Sequence, residues 1–293
     1  MSIRKSLGDR IFDCFNALFM IMIMIVTIYP LLYVAFASLS DGVQLMAHVG
    51  ALYKPLGLTL TAYKAVFSNI YILTGYRNTL FIVAAGLVVN LALTSLGAYA
   101  LSRKSLKFRK PIMLFIIFTM YFSGGLIPGY LLVKGIGLYN SLWALIFPGA
   151  ISTFNLILMR TAFQAIPASL EESAKIDGAG DFTVLFRIII PLSLPTIAVM
   201  TLYYGVGHWN AWFSAMIYLR DKVKYPLQLI LREILIQNET TNMMGDIDTT
   251  DQGNVAETIK YATIIVATLP ILCIYPFLQK YFVKGTMIGA IKG

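Results

Sequence analysis

The side chains that could do chemistry are few and scattered. His48 and His208 stand alone, with no Cys or carboxylate cluster at metal-ligand spacing around them. Asp246, Asp248, Thr250 and Glu257 fall at positions 1, 3, 5 and 12 of a calcium-loop register. Position 6, where the sharp turn needs glycine, is Asp251, so the segment reads as no metal site. The chain has no Gly-Lys dipeptide, hence no phosphate-cradling loop with its lysine, and no nucleophile–base–acid grouping. Polar and aromatic groups gather instead at Tyr203, Tyr204, His208, Trp209 and Asn210, with Asn90 and Asn155 in two other apolar stretches. Aromatic faces and amides can line a path for a polar solute, and an amide turned to lipid is costly. The same residues can equally bond helix to helix or form an interfacial aromatic belt. Cys14 and Cys273 lie in apolar runs and read as packing residues.

Those apolar runs are the elements that must position everything else. Hydrophobic residues make up 58% of the 293 and charged residues 13%, about half the charged share of an ordinary soluble protein. Six stretches free of charge read as membrane-spanning helices: 14–38, 78–102, 111–133, 138–159, 188–216 and 261–279. Each reaches the roughly 20 residues a helix needs to cross the hydrocarbon. The expected fold is therefore all-α, one membrane domain over 1–293, with both termini on one side. Fourteen of the 23 Lys and Arg residues fall in segments on that side, against six of the 14 acids. The positive-inside rule makes that side cytoplasmic, and the overall charge of +9 is then a topology signal, not a nucleic-acid footprint. Ala35-Phe36-Ala37 mimics a signal-peptidase site, but the apolar run before it is too long for a signal peptide, so an uncleaved first span is expected.

Two connections are elaborated: 160–187 on the inside and 220–260 on the outside. In the inner one, Pro167 suits a first helical turn and Glu171 and Glu172 suit the positive end of a helix dipole. Gly178 suits the left-handed position just past a helix end, and Asp181 reads as the cap of a second helix. An interfacial helix that merely tidies a loop would look much the same. In the outer connection, Leu227, Ile230, Leu231, Ile234 and Leu235 have the spacing of an amphipathic helix on the membrane surface.

The inner loop carries a longer pattern. Glu172-Ser173-Ala174, three residues, Gly178, nine residues, then Ile188-Ile189-Ile190-Pro191 resembles the cytoplasmic signature of ABC importer permeases, Glu-Ala-Ala, three residues, Gly, nine residues, Ile-x-Leu-Pro. Ser173 for Ala and Ile190 for Leu are the departures. Asp177-Gly178-Ala179 is similar to the carbohydrate branch, and the chain as a whole resembles the shorter permease subunit of maltose-type importers. Phe122-Ser123-Gly124-Gly125-Leu126-Ile127-Pro128, Trp209-Asn210-Ala211-Trp212-Phe213 and Lys284-Gly285-Thr286-Met287-Ile288-Gly289 resemble permeases for oligo- and polysaccharides such as alginate or pectin fragments.

That resemblance implies a type I ABC importer permease fold in a bacterial cytoplasmic (inner) membrane. It implies a non-enzymatic transport subunit that binds no cofactor itself, with ATP and Mg held by a partner ATPase. The implied partners are a second homologous permease, two ATPase subunits, an extracytoplasmic solute-binding protein and a carbohydrate substrate. Glu171, Glu172, Ser173, Ala174, Asp177, Gly178 and Ala179 would form a coupling helix against the ATPase. Lys284, Gly285, Gly289 and Lys292 would contact it from the tail, and loop 220–260 would reach the binding protein. The rival reading is a stand-alone ion-coupled transporter, which predicts charged residues within the spans; none occurs there.

Overall fold

Lipid offers the backbone no hydrogen-bond partner, so a chain this apolar must satisfy its peptide groups within helices. The computed structural model describes residues 7–236 and 252–290, with side chains of the last helix described for 256–274 and 276, and these residues are helical without strands. Three helices are long and apolar enough to cross a membrane alone: Leu7–Ser38, Ile70–Ser102 and Ala256–Ile274. Three bent pairs reach that length together: Arg109–Tyr121 with Leu126–Gly135, Leu142–Gly149 with Thr153–Gln164, and Asp181–Leu192 with Leu194–Trp209. Six spans follow if each pair is one crossing.

The bends are where the structure departs from the uninterrupted stretches expected from sequence. The stretch 111–133 turns by 110° between Tyr121 and Leu126. Gly125 there takes φ +89°, open to glycine at no steric cost, and Phe122 is already extended. The stretch 138–159 is two 3₁₀ turns, Leu142–Leu145 and Phe147–Gly149, before a helix starts at Thr153 with Ser152 as its cap. The stretch 188–216 begins inside a π-helical segment, Leu185–Ile189, and bends by 85° between Leu192 and Leu194. Pro191 and Pro195 flank that bend and each removes a backbone donor. It also stops at Trp209, with Phe213–Tyr218 as a separate short helix.

The chain forms two compact units. Among the described residues the first comprises 7–70, 233–236 and 252–269. Its helix Leu7–Ser38 is exposed and apolar over nearly its whole length, as expected where the solvent is lipid or another membrane helix. At its end Ala37, Leu45 and Leu52 pack with Tyr33, Phe36 and Tyr261. The loop after it is tied down by Leu52 N–H donating to Tyr29 Oη at 3.0 Å and Asp41 capping Gly42–Ala47.

The second unit comprises 71–232 and 270–293. Its core joins Ala98 and Leu101 of Ile70–Ser102, Met113, Leu156, Met159 and Phe163 of Thr153–Gln164, and Val184, Leu185, Ile189 and Met200. A second cluster gathers Ile82, Leu145, Ile146, Ala215, Leu219 and Leu229. Leu227–Ile236 is a helix, but within this unit its Leu227, Leu229 and Ile230 are buried rather than left for lipid. Ile230 and Leu227 lie so close to Gly75 that a methyl group there would meet Ile230 Cδ1 at 2.6 Å.

Candidate functional site

The inner loop is helical as expected, but Pro167, expected in the first helical turn, is instead the residue just before the helix Ala168–Ile176. The helix ends with Ala179 N–H donating to Ala174 O at 2.9 Å and Gly178 N–H to Lys175 O at 3.1 Å. With Gly178 at φ +83° this is a glycine-dependent Schellman closure. Asp181, expected as a cap, is instead the first residue of the next helix, after Gly180, and makes no capping bond. Its carboxylate takes Lys175 Nζ at 3.3 Å instead.

The two adjacent glutamates face different ways. Glu172 is exposed, beside exposed Ser173, Ile176, Asp177 and Gly178. Glu171 is buried, and Ala174 and Ala179 pack toward the core. Glu171 accepts from Lys175 Nζ at 2.9 Å, from Arg103 Nη1, and at the long limit of 3.5 Å from Tyr99 Oη. Arg103 also donates to Phe163 O at 3.3 Å and lies over the Tyr99 ring, 4.8 Å from its centroid. Burial alone would raise the Glu171 carboxyl, but hydrogen bonds from Lys175 and Arg103, with their charges, bring it below the ordinary value. Lys175 is raised in turn, by its hydrogen bonds to Glu171 and Asp181. A depressed carboxyl stabilises the fold above its unfolded value and is lost as pH falls through the folded one; a raised amine is lost as pH rises through its own. The cluster is therefore intact from above pH 4.5 to below pH 10.5.

Residue types missed from sequence were Arg103, which lies 68 positions from Glu171, and the exposed apolar pair Ile176 and Phe182. An isoleucine set among the polar residues of 171–178 was the available signal, and the structure leaves it 86% exposed.

The polar residues of the spans divide in the same manner. Tyr204 is buried; its hydroxyl lies 2.8 Å from Thr94 Oγ1 and accepts Ser152 N–H at 3.0 Å. Asn90 Nδ2 donates to Gly149 O at 3.1 Å and Ala150 O at 2.8 Å, carbonyls left over where the 3₁₀ turns end. Its Oδ1 is thereby an acceptor for His208 Nε2 at 2.7 Å, which fixes the histidine tautomer. These three residues bond helix to helix.

Tyr203, Phe154 and Asn155 are placed differently. They line a groove of about 810 Å³ to which Tyr204 and His208 also contribute. The Phe154 and Tyr203 rings stand 6.3 Å apart, and the buried Asn155 side chain makes no hydrogen bond within the described residues. No Lys or Arg lines the groove. Trp209 is buried edge-on to Tyr76, its indole N–H without a partner among the described residues, and Asn210 is an exposed helix-ending residue.

Gly86 makes the His208 bond possible, since a methyl group there would meet His208 Nε2 at 2.5 Å. Gly86→Ala is expected to cost about 1–3 kcal/mol, read as a lower Tm of the purified protein. Gly205→Ala, whose added carbon would meet Leu87 at an ordinary 3.9 Å, is expected to leave Tm nearly unchanged.

Lys284, Gly285 and Gly289 lie on the backbone of Gln252–Ala290 beyond the described side chains, and Lys292 lies outside the described residues. So does Asp246–Asp251 of the outer loop. Among the described residues no cluster of His, Cys, Asp or Glu could hold a metal.

Residues 93–288, which include the inner loop, match the family described as binding-protein-dependent transport system inner membrane component. The chain is 43% identical over 287 residues to the polygalacturonan/rhamnogalacturonan transport system permease protein YtcP of Bacillus subtilis, covering 97% of this chain and 99% of that one. It is 30% identical over 295 residues to the maltodextrin transport system permease protein MalD of Streptococcus pneumoniae, covering 98% of each. Among solved structures, a chain of a bacterial ABC transporter involved in the import of the acidic polysaccharide alginate superposes with a TM-score of 0.87 at 33% identity, covering 96% of this chain and all of that one. The all-helical architecture is thus the type I ABC permease fold, and the chain belongs to the binding-protein-dependent transport system inner membrane component family.

Proposed function

We propose that this chain is the membrane-spanning permease subunit of an ATP-driven importer for oligosaccharides, with acidic pectin-type fragments as the first class to test. It pairs with a second homologous permease and receives solute from an extracytoplasmic binding protein. Two ATPase subunits hold the ATP and Mg. Its termini and the 160–187 loop face the cytoplasm, where the basic residues concentrate. The observation that carries this reading is the rigid loop helix Ala168–Ile176, capped at Gly178, which holds Glu172, Ser173 and Ile176 out to solvent. Among the described residues none bonds to the side chains of that outward face, and a charged rim with an exposed isoleucine suits insertion into a cleft of a partner. The tail from Lys284 is assigned to the same partner.

Solute passes the groove at Phe154, Asn155 and Tyr203. Ring faces and an unpaired amide suit pyranose rings and hydroxyls. Without Lys or Arg in the lining, carboxylates are not gripped there, which favours movement over retention. Phe154→Ala with Tyr203→Ala is expected to lower solute uptake about 3- to 10-fold without loss of protein from the membrane. Uptake by proteoliposomes measures it.

The function itself is tested by reconstituting the chain with its three partner types. ATP hydrolysis that rises on addition of binding protein loaded with an oligogalacturonide supports the reading. Uptake driven by an ion gradient without ATPase subunits would replace it with the secondary-transporter reading.

A further inference from the structure

The loop helix is joined in sequence to the helices before and after it, Thr153–Gln164 and the run starting at Asp181. Neither link reaches Ile70–Ser102, yet the ion cluster does. Arg103, the first residue past that helix, is held there by its Nε donating to Ser102 Oγ at 2.9 Å, and its guanidinium also reaches Phe163 O. Arg160 Nε donates to Leu101 O at 3.0 Å, a second tie between the same two helix ends. Glu171 closes the set: its side chain, 12% exposed, meets Arg103 with one oxygen and Lys175 with the other. Its partner Arg103 is itself only 16% exposed at the side chain, so the pair is shielded from water and little screened by salt.

We propose that Glu171 is a positioning residue that locks the loop helix to the cytoplasmic end of Ile70–Ser102. Movement imposed on the outward face at Glu172 then reaches that membrane helix directly. This rests on the permease reading above. Glu172 is the contact with the motor, and Glu171 is the pin that makes the lever stiff. The adjacent carboxylates thus have separate tasks, set by the roughly 100° that separates neighbours around a helix. Without the pin the loop helix can still bind the ATPase and let it turn over, but its motion is dissipated in the loop.

The test uses the whole importer in proteoliposomes. Glu171→Gln preserves shape and removes the charge that holds Arg103. The expected result is ATP hydrolysis close to that of the parent and a fall of about ten-fold in solute moved per ATP. Arg103→Lys, which keeps the charge but loses the fork, is expected to fall between the two. A second measurement is independent of how well Glu171→Gln assembles. Spin labels at Lys104→Cys and Ser169→Cys, with Cys14 and Cys273 replaced by Ser, report the distance across the pin. In the otherwise unaltered protein that distance is expected to stay the same between nucleotide-free and ATP-trapped states, and to broaden in Glu171→Gln. A distance that changes with nucleotide, or an unaltered solute-to-ATP ratio in Glu171→Gln, overturns the pin. A parent importer whose ATPase never responds to loaded binding protein overturns the permease reading beneath it instead.

Discussion

Reversing the charge of Glu172 is expected to lower solute-stimulated ATP hydrolysis and uptake by about 100-fold, the scale of a charge removed from a desolvated protein contact. Folding should be untouched, because Glu172 is exposed and no ion pair within the described residues involves it. The check is Glu172→Lys reconstituted with its partners, against Glu172→Gln. Gln keeps the shape and a hydrogen-bonding end, and is expected to lose several-fold less. Normal assembly of Glu172→Lys with the ATPase subunits, together with normal stimulation, would remove Glu172 from the contact.

Gly178→Pro is expected to abolish transport for a different reason. The residue sits at φ +83° and its N–H donates to Lys175 O. Proline can adopt neither the angle nor the bond, and the combined strain is about 3 kcal/mol or more. The loop helix would unwind from its last turn, carrying Lys175 away from Glu171. Gly178→Ala makes the graded comparison. Open space surrounds the position, so the added methyl meets nothing within 4 Å and only the left-handed backbone is taxed. That costs about 1–2 kcal/mol. Uptake rates should therefore rank glycine, then alanine, then proline. Equal rates for alanine and proline would mean that the closure is not what holds the helix.

Much of this is legible in the amino-acid sequence. Charge-free stretches locate the helices because a charge in hydrocarbon is penalised wherever the helix points. The Gly178 closure was legible because the left-handed conformation admits few residues, whereas Pro167 sits one residue outside the helical turn expected of it. Which way Glu171 points was not legible. Two neighbouring glutamates look alike in sequence, and the arginine that separates them lies across the fold, past the end of Ile70–Ser102. Asn90 poses the same problem: its type suits a sugar path, yet its amide nitrogen is taken by carbonyls left free where the helix before Thr153 is interrupted. Bend angles were equally hidden. Gly124, Gly125, Pro191 and Pro195 mark where the chain can turn, but how far it turns depends on packing around Met113, Leu156 and Ile189. Asp181 shows how a boundary shifted by one residue changes a role: the helix starts at Asp181 itself after Gly180, so its carboxylate is free to meet Lys175 instead.

The central claim is that the outward face of Ala168–Ile176 meets a separate ATPase in the cytoplasm. The most direct measurement is cysteine cross-linking from Ser173→Cys, in a chain with Cys14 and Cys273 replaced by Ser, within membranes holding the assembled importer. A cross-link to the ATPase subunit is expected, along with reaction toward an impermeant maleimide in inverted vesicles and protection in intact cells. Labelling of that cysteine from outside intact cells would contradict the account.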